Sequence, residues 1–248
     1  SASAILKLTE TISIHTEHSD MAWRHTDCLG GGCMWKLADS IDPSKPTLGF
    51  DLDWTLVHPS SGRKFPRTPD DWKFLFPGTD AAIKQQALKH NIVVFSNQTS
   101  SVAEEEKRAL MRGKLDAIGA EFGGLVSWFV SVGYCRFRKP KPAMWHHWLA
   151  VSGVAPHPDD RYVGDAAGRM AVKGGRKKDF ADTDLMFAVN AKVAFSTPEA
   201  HFLGLAEDAV VRRMQPERRQ HADGAQRHPS DISPGELVRP REAQDGGM

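Results

Sequence analysis

Asp51 and Asp53 stand two residues apart in Phe50-Asp51-Leu52-Asp53-Trp54-Thr55-Leu56-Val57, behind the apolar run Leu48-Gly49-Phe50. In an extended chain, side chains at i and i+2 share a face. One acid can attack an electrophile while its neighbour handles the proton, and both can engage a divalent cation. An isolated pair of this kind is usually a solvated strand end. Here three further segments accompany it: Ser96-Asn97 behind Ile92–Phe95, Lys139 beyond Trp128–Val132, and Asp165 behind Arg161–Val163. In an open parallel sheet the carboxyl ends of the strands share one edge, so these residues can meet in space. A nucleophile, a proton-transfer acid, a hydroxyl, a cation and a third carboxylate suit phosphoryl transfer. Attack on a phosphate dianion is resisted by charge repulsion, which magnesium and a lysine both reduce. Magnesium takes a few carboxylate oxygens together with waters and substrate phosphate.

The elements that must position these groups alternate. Strands are predicted at Thr47–Asp53, Ile92–Phe95, Trp128–Val132, Arg161–Val163 and Val193–Phe195, and helices at Thr79–His90, Val102–Ile118, Pro142–Ser152 and Thr183–Asn190. Thr79 is the expected N-cap of the first helix. Trp54–Pro77 holds Pro59, Gly62, Pro66, Pro69 and Pro77, too many breakers for a long helix, and reads as a short hairpin or flap. Strands alternating with helices imply βαβ units. The expected fold is α/β, a Rossmann-like three-layer sandwich with a mostly parallel central sheet and a small flap. Residues 1–45 read as a partly ordered extension in which Met34–Leu37 can pack on the domain. Residues 46–204 form the domain, and 205–248 a largely disordered tail after one helical stretch.

The 248 residues carry a net charge of +1, which excludes a strongly polycationic nucleic-acid binder but permits a local basic patch. The three cysteines, Cys28, Cys33 and Cys135, lack zinc-ribbon spacing and are expected as free thiols. No apolar run approaches the length of a transmembrane helix, and the first residues lack a secretory signal. A soluble monomer without membrane contact is the expectation.

The four segments resemble the haloacid dehalogenase superfamily of phosphohydrolases. More narrowly, they resemble the DNA 3′-phosphatase domain of polynucleotide kinase/phosphatase. The narrower likeness rests on Ser61-Gly62-Arg63-Lys64-Phe65-Pro66, Asp71-Trp72, Phe95-Ser96-Asn97-Gln98 and Arg138-Lys139-Pro140. It continues in Gly164-Asp165-Ala166-Ala167-Gly168-Arg169, Lys177-Lys178-Asp179-Phe180, Asp184 and Ser196-Thr197-Pro198-Glu199. It covers about residues 47–204. The resemblance implies that Asp51 attacks phosphorus to form an aspartyl-phosphate, while Asp53 protonates the leaving 3′-oxygen and then activates water. It implies magnesium on Asp51, Asp165 and the Asp53 carbonyl, Ser96 with Asn97 on phosphate oxygens, and Lys139 beside nucleophile and phosphate. Arg138, Arg169 and Lys178 become candidate substrate contacts. The implied substrate is a DNA end bearing a 3′-phosphate, and the implied setting is strand-break repair in the nucleus.

Several residues carry a second reading. Arg169 suits a structural ion pair as well as a phosphate contact. Arg176-Lys177-Lys178, like Arg63, Lys64 and Arg67, suits a solvated cationic run as well as nucleic-acid steering. Asp184 is expected to support Lys178 or a backbone amide rather than a metal. Trp72, Trp145 and Trp148 are expected in the core. Against the family pattern, Trp54 replaces the usual glycine, Ser96 stands where threonine is common, and Thr99–Arg112 lacks a Gly-rich basic stretch. No GxxxxGK[ST] occurs, so a phosphatase-only form is expected. The rival reading is a phosphatase of a small metabolite such as a sugar or histidinol phosphate. Residues 140–164 hold no cysteine for the zinc loop common in such enzymes.

Overall fold

The structure is a computed structural model, and it describes residues 22–64, 66, 68–98 and 105–214. Residues 1–21, Phe65, Arg67, 99–104 and 215–248 lie outside the described residues, and with them most of the expected tail and the first part of the extension.

The strands are β1 (Arg24–Cys28), β2 (Gly31–Lys36), β3 (Thr47–Phe50), β4 (Val57–His58), β5 (Lys73–Phe74), β6 (Asn91–Asn97), β7 (Val126–Gly133), β8 (Arg161–Val163) and β9 (Ala194–Ser196). The helices are α1 (Thr79–Ala87), α2 (Glu105–Glu121), α3 (Ala143–Ser152), α4 (Thr183–Ala191), α5 (Pro198–Leu203) and α6 (Ala209–Met214). The main sheet has the order β1-β2-β7-β6-β3-β8-β9. From β7 to β9 all neighbours are parallel, and the β1–β2 hairpin adds to β7 antiparallel. A parallel sheet covered on both faces reads as continuous apolar runs, and β6 and β7 do so.

Alternation divides each strand between two cores. Val93, Phe95, Phe129 and Tyr162 join Trp145 and Trp148 of α3 and Phe187 of α4 on one face. Leu48, Phe50, Ile92, Val94, Trp128 and Val130 join Ile83 of α1 and Leu115 and Ile118 of α2 on the other. Trp145 and Trp148 are core residues, as expected, and Trp72 packs half-buried against the second core. β4 and β5 form the flap hairpin, held by Asp71, which accepts from the Ser61 backbone N–H at 2.8 Å and from the Ser60 hydroxyl at 2.9 Å.

Two features depart from the sequence expectations. While Met34 and Trp35 pack on the domain as expected, residues 24–28 and 31–36 are strands of the main sheet, where no strand was expected. Their glycines serve close approach: Gly31 has φ 145° and faces Gly133, and a Cβ on it would strike the Val132 carbonyl oxygen. Nor is Thr79 the N-cap of α1. Gly78 takes that position in the left-handed region (φ 81°), and the Thr79 hydroxyl donates back to the Phe76 carbonyl at 2.8 Å. The cysteines are free thiols. Among the described residues no helix is long and apolar enough to cross a membrane.

Candidate active site

Five parallel strands deliver their carboxyl ends to one edge. Asp51 follows β3, and its N–H donates to the Val163 carbonyl of β8 at 2.8 Å, which pins the first acid to the sheet. Ser96 and Asn97 end β6, Lys139 follows β7, and Asp165 follows β8.

The centre is a buried charge network. Lys139 is 3% exposed. Its Nζ donates to Asp51 Oδ1 at 2.6 Å, to Asp184 Oδ1 at 2.7 Å and to the Tyr162 hydroxyl at 2.8 Å. Tyr162 in turn donates to Asp184 Oδ1 at 3.1 Å. Asp184 Oδ2 accepts the Ala166 N–H at 3.0 Å, so this acid holds both the lysine and the loop that carries Asp165. Gly164 makes room for it, since a Cβ there would lie 2.5 Å from Asp184 Cβ. A backbone amide is thus one partner of Asp184, as expected, and Lys139 rather than Lys178 is its cation.

Asp51, Asp165 and Asp184 can each turn one carboxylate oxygen to within 4.8 Å of the others. Burial raises the Asp51 carboxyl to about 7; Lys139 works against this, while Asp184 and Asp53 reinforce it. Burial, then the negative charges of Asp184 and Asp51, raise Asp165 to about 8. For Lys139 burial alone would lower the pKa, but the two carboxylates outweigh it and hold it above its ordinary value. Crowded acids with one lysine between them are short of positive charge. Their oxygen-only donors suit a hard divalent cation, so the residues fit a metal site. Asp184 already spends both oxygens on the protein, which leaves Asp51 and Asp165 as the better ligands.

Asp53 lies at the rim, its side chain 38% exposed. Gln98 Nε2 donates to its Oδ2 at 2.6 Å and the buried Lys114 of α2 reaches its Oδ1 at 3.5 Å. Gln98 also donates to Ser96 Oγ at 3.0 Å, leaving the Ser96 O–H to be donated elsewhere. Thr55 Oγ1 points to Asp165 Oδ1 at 3.5 Å.

The structure thus brings together Asp51, Asp53, Ser96, Lys139 and Asp165, and separates the other candidates by task. Asn97 clasps the Lys139 backbone, accepting its N–H at 2.9 Å and donating to its carbonyl at 3.2 Å. Arg169 is buried beneath the loop, donating to Asp179 at 2.7 Å, to Glu199 at 3.0 Å and to the Asp165 carbonyl at 3.1 Å. That is the structural half of its two readings. Arg138 lies half-buried over the exposed ring of Tyr134, 4.9 Å away. Lys178 is exposed in the loop before α4, near Phe180, whose ring carries the Lys64 ammonium of the flap at 4.7 Å.

Tyr162, Gln98 and Lys114 have no role in the sequence reading, although Gln98 stands in the Phe95–Gln98 segment. Lys114 had left a signal: it falls in the buried row of α2 with Met111, Leu115 and Ile118, where an unpaired lysine is costly.

The fold is haloacid dehalogenase-like, and the acids and lysine at its sheet edge suit phosphoryl transfer. The fold matches a protein of Mesorhizobium loti described as a HAD-like phosphatase, with TM-score 0.50 and 17% identity, covering 69% of this chain and 80% of that one. Residues 46–202 match the family described as Polynucleotide kinase 3 phosphatase, and the chain belongs to that family. A 20.8 kDa protein of Autographa californica nuclear polyhedrosis virus is 37% identical over 150 residues, which is 60% of this chain and 81% of the viral one. The bifunctional polynucleotide phosphatase/kinase of Schizosaccharomyces pombe is 31% identical over 180 residues, 68% of this chain and 42% of the yeast protein. Polynucleotide 3′-phosphatase ZDP of Arabidopsis thaliana is 28% identical over 187 residues, 66% of this chain and 25% of the plant protein. The chain therefore spans less than half the length of the yeast and plant relatives.

Proposed function

We propose that this phosphatase is a magnesium-dependent polynucleotide 3′-phosphatase that restores 3′-hydroxyl ends on broken DNA, acting as a monomer in the nucleus. The supporting observation is the buried Asp51–Lys139–Asp184–Tyr162 network with Asp53 at its rim. The family and the names of the yeast and plant relatives supply the substrate class.

In this reading an Asp51 oxygen attacks phosphorus as the bond to the 3′-oxygen breaks. Asp53 gives the leaving oxygen its proton, then takes one from the water that attacks the aspartyl-phosphate. Phosphate leaves and Asp51 is regenerated. Gln98 and Lys114 hold the two Asp53 oxygens in place for both transfers. Lys139 occupies Asp51 Oδ1 and favours the carboxylate form, so Oδ2 is left as the nucleophile. The Ser96 O–H can be turned to a phosphate oxygen, and Lys139, whose three protons go to Asp51, Asp184 and Tyr162, adds positive charge behind the nucleophile. Magnesium on Asp51, Asp165 and the Asp53 carbonyl would supply further positive charge against the phosphate. Residues 46–204 form the phosphatase domain in this account, with the β1–β2 hairpin completing its sheet.

The test compares kcat/KM for a 3′-phosphorylated oligonucleotide, its 5′-phosphorylated isomer and a sugar phosphate, each with magnesium or EDTA. Preference for the 3′-phosphate, abolished by EDTA and restored by magnesium, supports the proposal. Preference for the sugar phosphate, or full activity in EDTA, overturns it.

A further inference from the structure

Trp54 follows Asp53 directly and occupies the left-handed region, with φ 63°. That conformation suits glycine and is disfavoured for a residue with a bulky side chain. Burial does not compensate, because Trp54 is 41% exposed. The turn is nevertheless well fixed: the Trp54 N–H donates to the Val57 carbonyl at 2.7 Å, and Asp53 bridges to Val57. The indole leans on His58 of the flap strand β4, with ring centroids 5.5 Å apart and planes inclined by 35°. Burial and the nearby Lys73 push the His58 pKa below its ordinary value. A large aromatic surface is therefore held in a disfavoured backbone conformation, braced from one side and open to water on the other. An outlier of this kind points to function more readily than to stability.

The position names the occupant. In the mechanism above, the leaving 3′-oxygen lies at Asp53. The Trp54 Cα is one peptide step, about 3.8 Å, further on. The group attached to that oxygen is a nucleoside, and its base offers a flat apolar surface that an exposed indole can meet. We infer that Trp54, braced by His58, is the stacking platform for the terminal nucleobase and favours nucleotide ends over bare sugar-phosphate ends. This rests on the 3′-phosphatase reading and adds a base-sensing contact to it. Stacking is tolerant of base identity because every base has a π-face, so the platform recognises a base without reading sequence.

The experiment measures kcat/KM on two oligonucleotides that differ only at the end. One carries a 3′-phosphate on an ordinary nucleotide, the other a 3′-phosphate on an abasic sugar. In Trp54→Gly the preference for the base-bearing end should fall about tenfold, whereas Trp54→Phe should retain most of it. Trp54→Gly should also melt at or above the wild-type temperature, since glycine suits this backbone, which separates the effect from misfolding. An unchanged preference in Trp54→Gly overturns the inference, as does an equal loss on both substrates. If the wild type cleaves neither substrate but cleaves sugar phosphates, the 3′-phosphatase reading itself has failed.

Discussion

Lys139 bridges two buried carboxylates, and removing it should reveal how tightly the site is coupled. Asp51, Asp184 and Lys139 are each less than one-tenth exposed, and the ammonium makes three short hydrogen bonds, of 2.6, 2.7 and 2.8 Å. Lys139→Met leaves two acids facing each other without their cation. Breaking a buried ion pair from one side costs about 3–5 kcal/mol. Asp184→Asn keeps the Lys139–Asp51 contact, weakens its partner and should cost about 2 kcal/mol. In the double variant one orphaned charge is gone, so its cost should be near that of Lys139→Met alone rather than the sum. A coupling of about 1–3 kcal/mol results. Urea unfolding of the four proteins in EDTA reads this directly. With magnesium present, Lys139→Met should recover more stability than the wild type, because the uncompensated acids bind the cation more tightly. Turnover should fall about a hundred- to thousandfold in Lys139→Met. Additivity within about 0.5 kcal/mol would refute the coupled network.

Two further perturbations probe the scaffold. Gly164→Ala would place a Cβ 2.5 Å from Asp184 Cβ; a loss of about 1–3 kcal/mol and a drop in kcat are expected, and a wild-type melting temperature would show that the close approach is not needed. His201 packs edge-on against Phe50 and Phe202 and pairs with Gln86. Burial, with help from Arg161 and His90, lowers its pKa to about 4 from an ordinary 6.5. The unfolded chain therefore binds the extra proton between those values, so the stability this neutral histidine permits is present above pH 6.5 and lost as pH falls toward 4. The loss reaches about 3 kcal/mol. His201→Gln should flatten that part of the stability profile in denaturant titrations at pH 7.5 and 5; an unchanged slope contradicts the assignment.

What was legible in the sequence was whatever a strand end dictates. Asp51, Ser96, Lys139 and Asp165 each follow an apolar run, and parallel pairing brings such positions to one edge. Less legible were groups whose role depends on side-chain reach. Tyr162 lies inside a strand and sends its hydroxyl to Lys139, and Asp184 sits in the first turn of α4 yet touches a residue after β7. Asn97 and Arg169 have residue types suited to phosphate, but local geometry turns both to holding backbone: Asn97 on Lys139, Arg169 on the loop of Asp165. The β1–β2 hairpin was hidden by Gly30–Gly32, which read as loop. There glycine permits strands to approach.

The most direct test of the mechanism traps the phosphorylated enzyme. Wild-type protein is mixed with a 3′-phosphorylated oligonucleotide, quenched within a turnover, reduced with borohydride and digested for mass spectrometry. An aspartyl-phosphate is reduced to homoserine, and the account predicts that residue at position 51 alone, dependent on both substrate and magnesium. Homoserine elsewhere, or none while phosphate is released in a burst, would contradict Asp51 as the nucleophile.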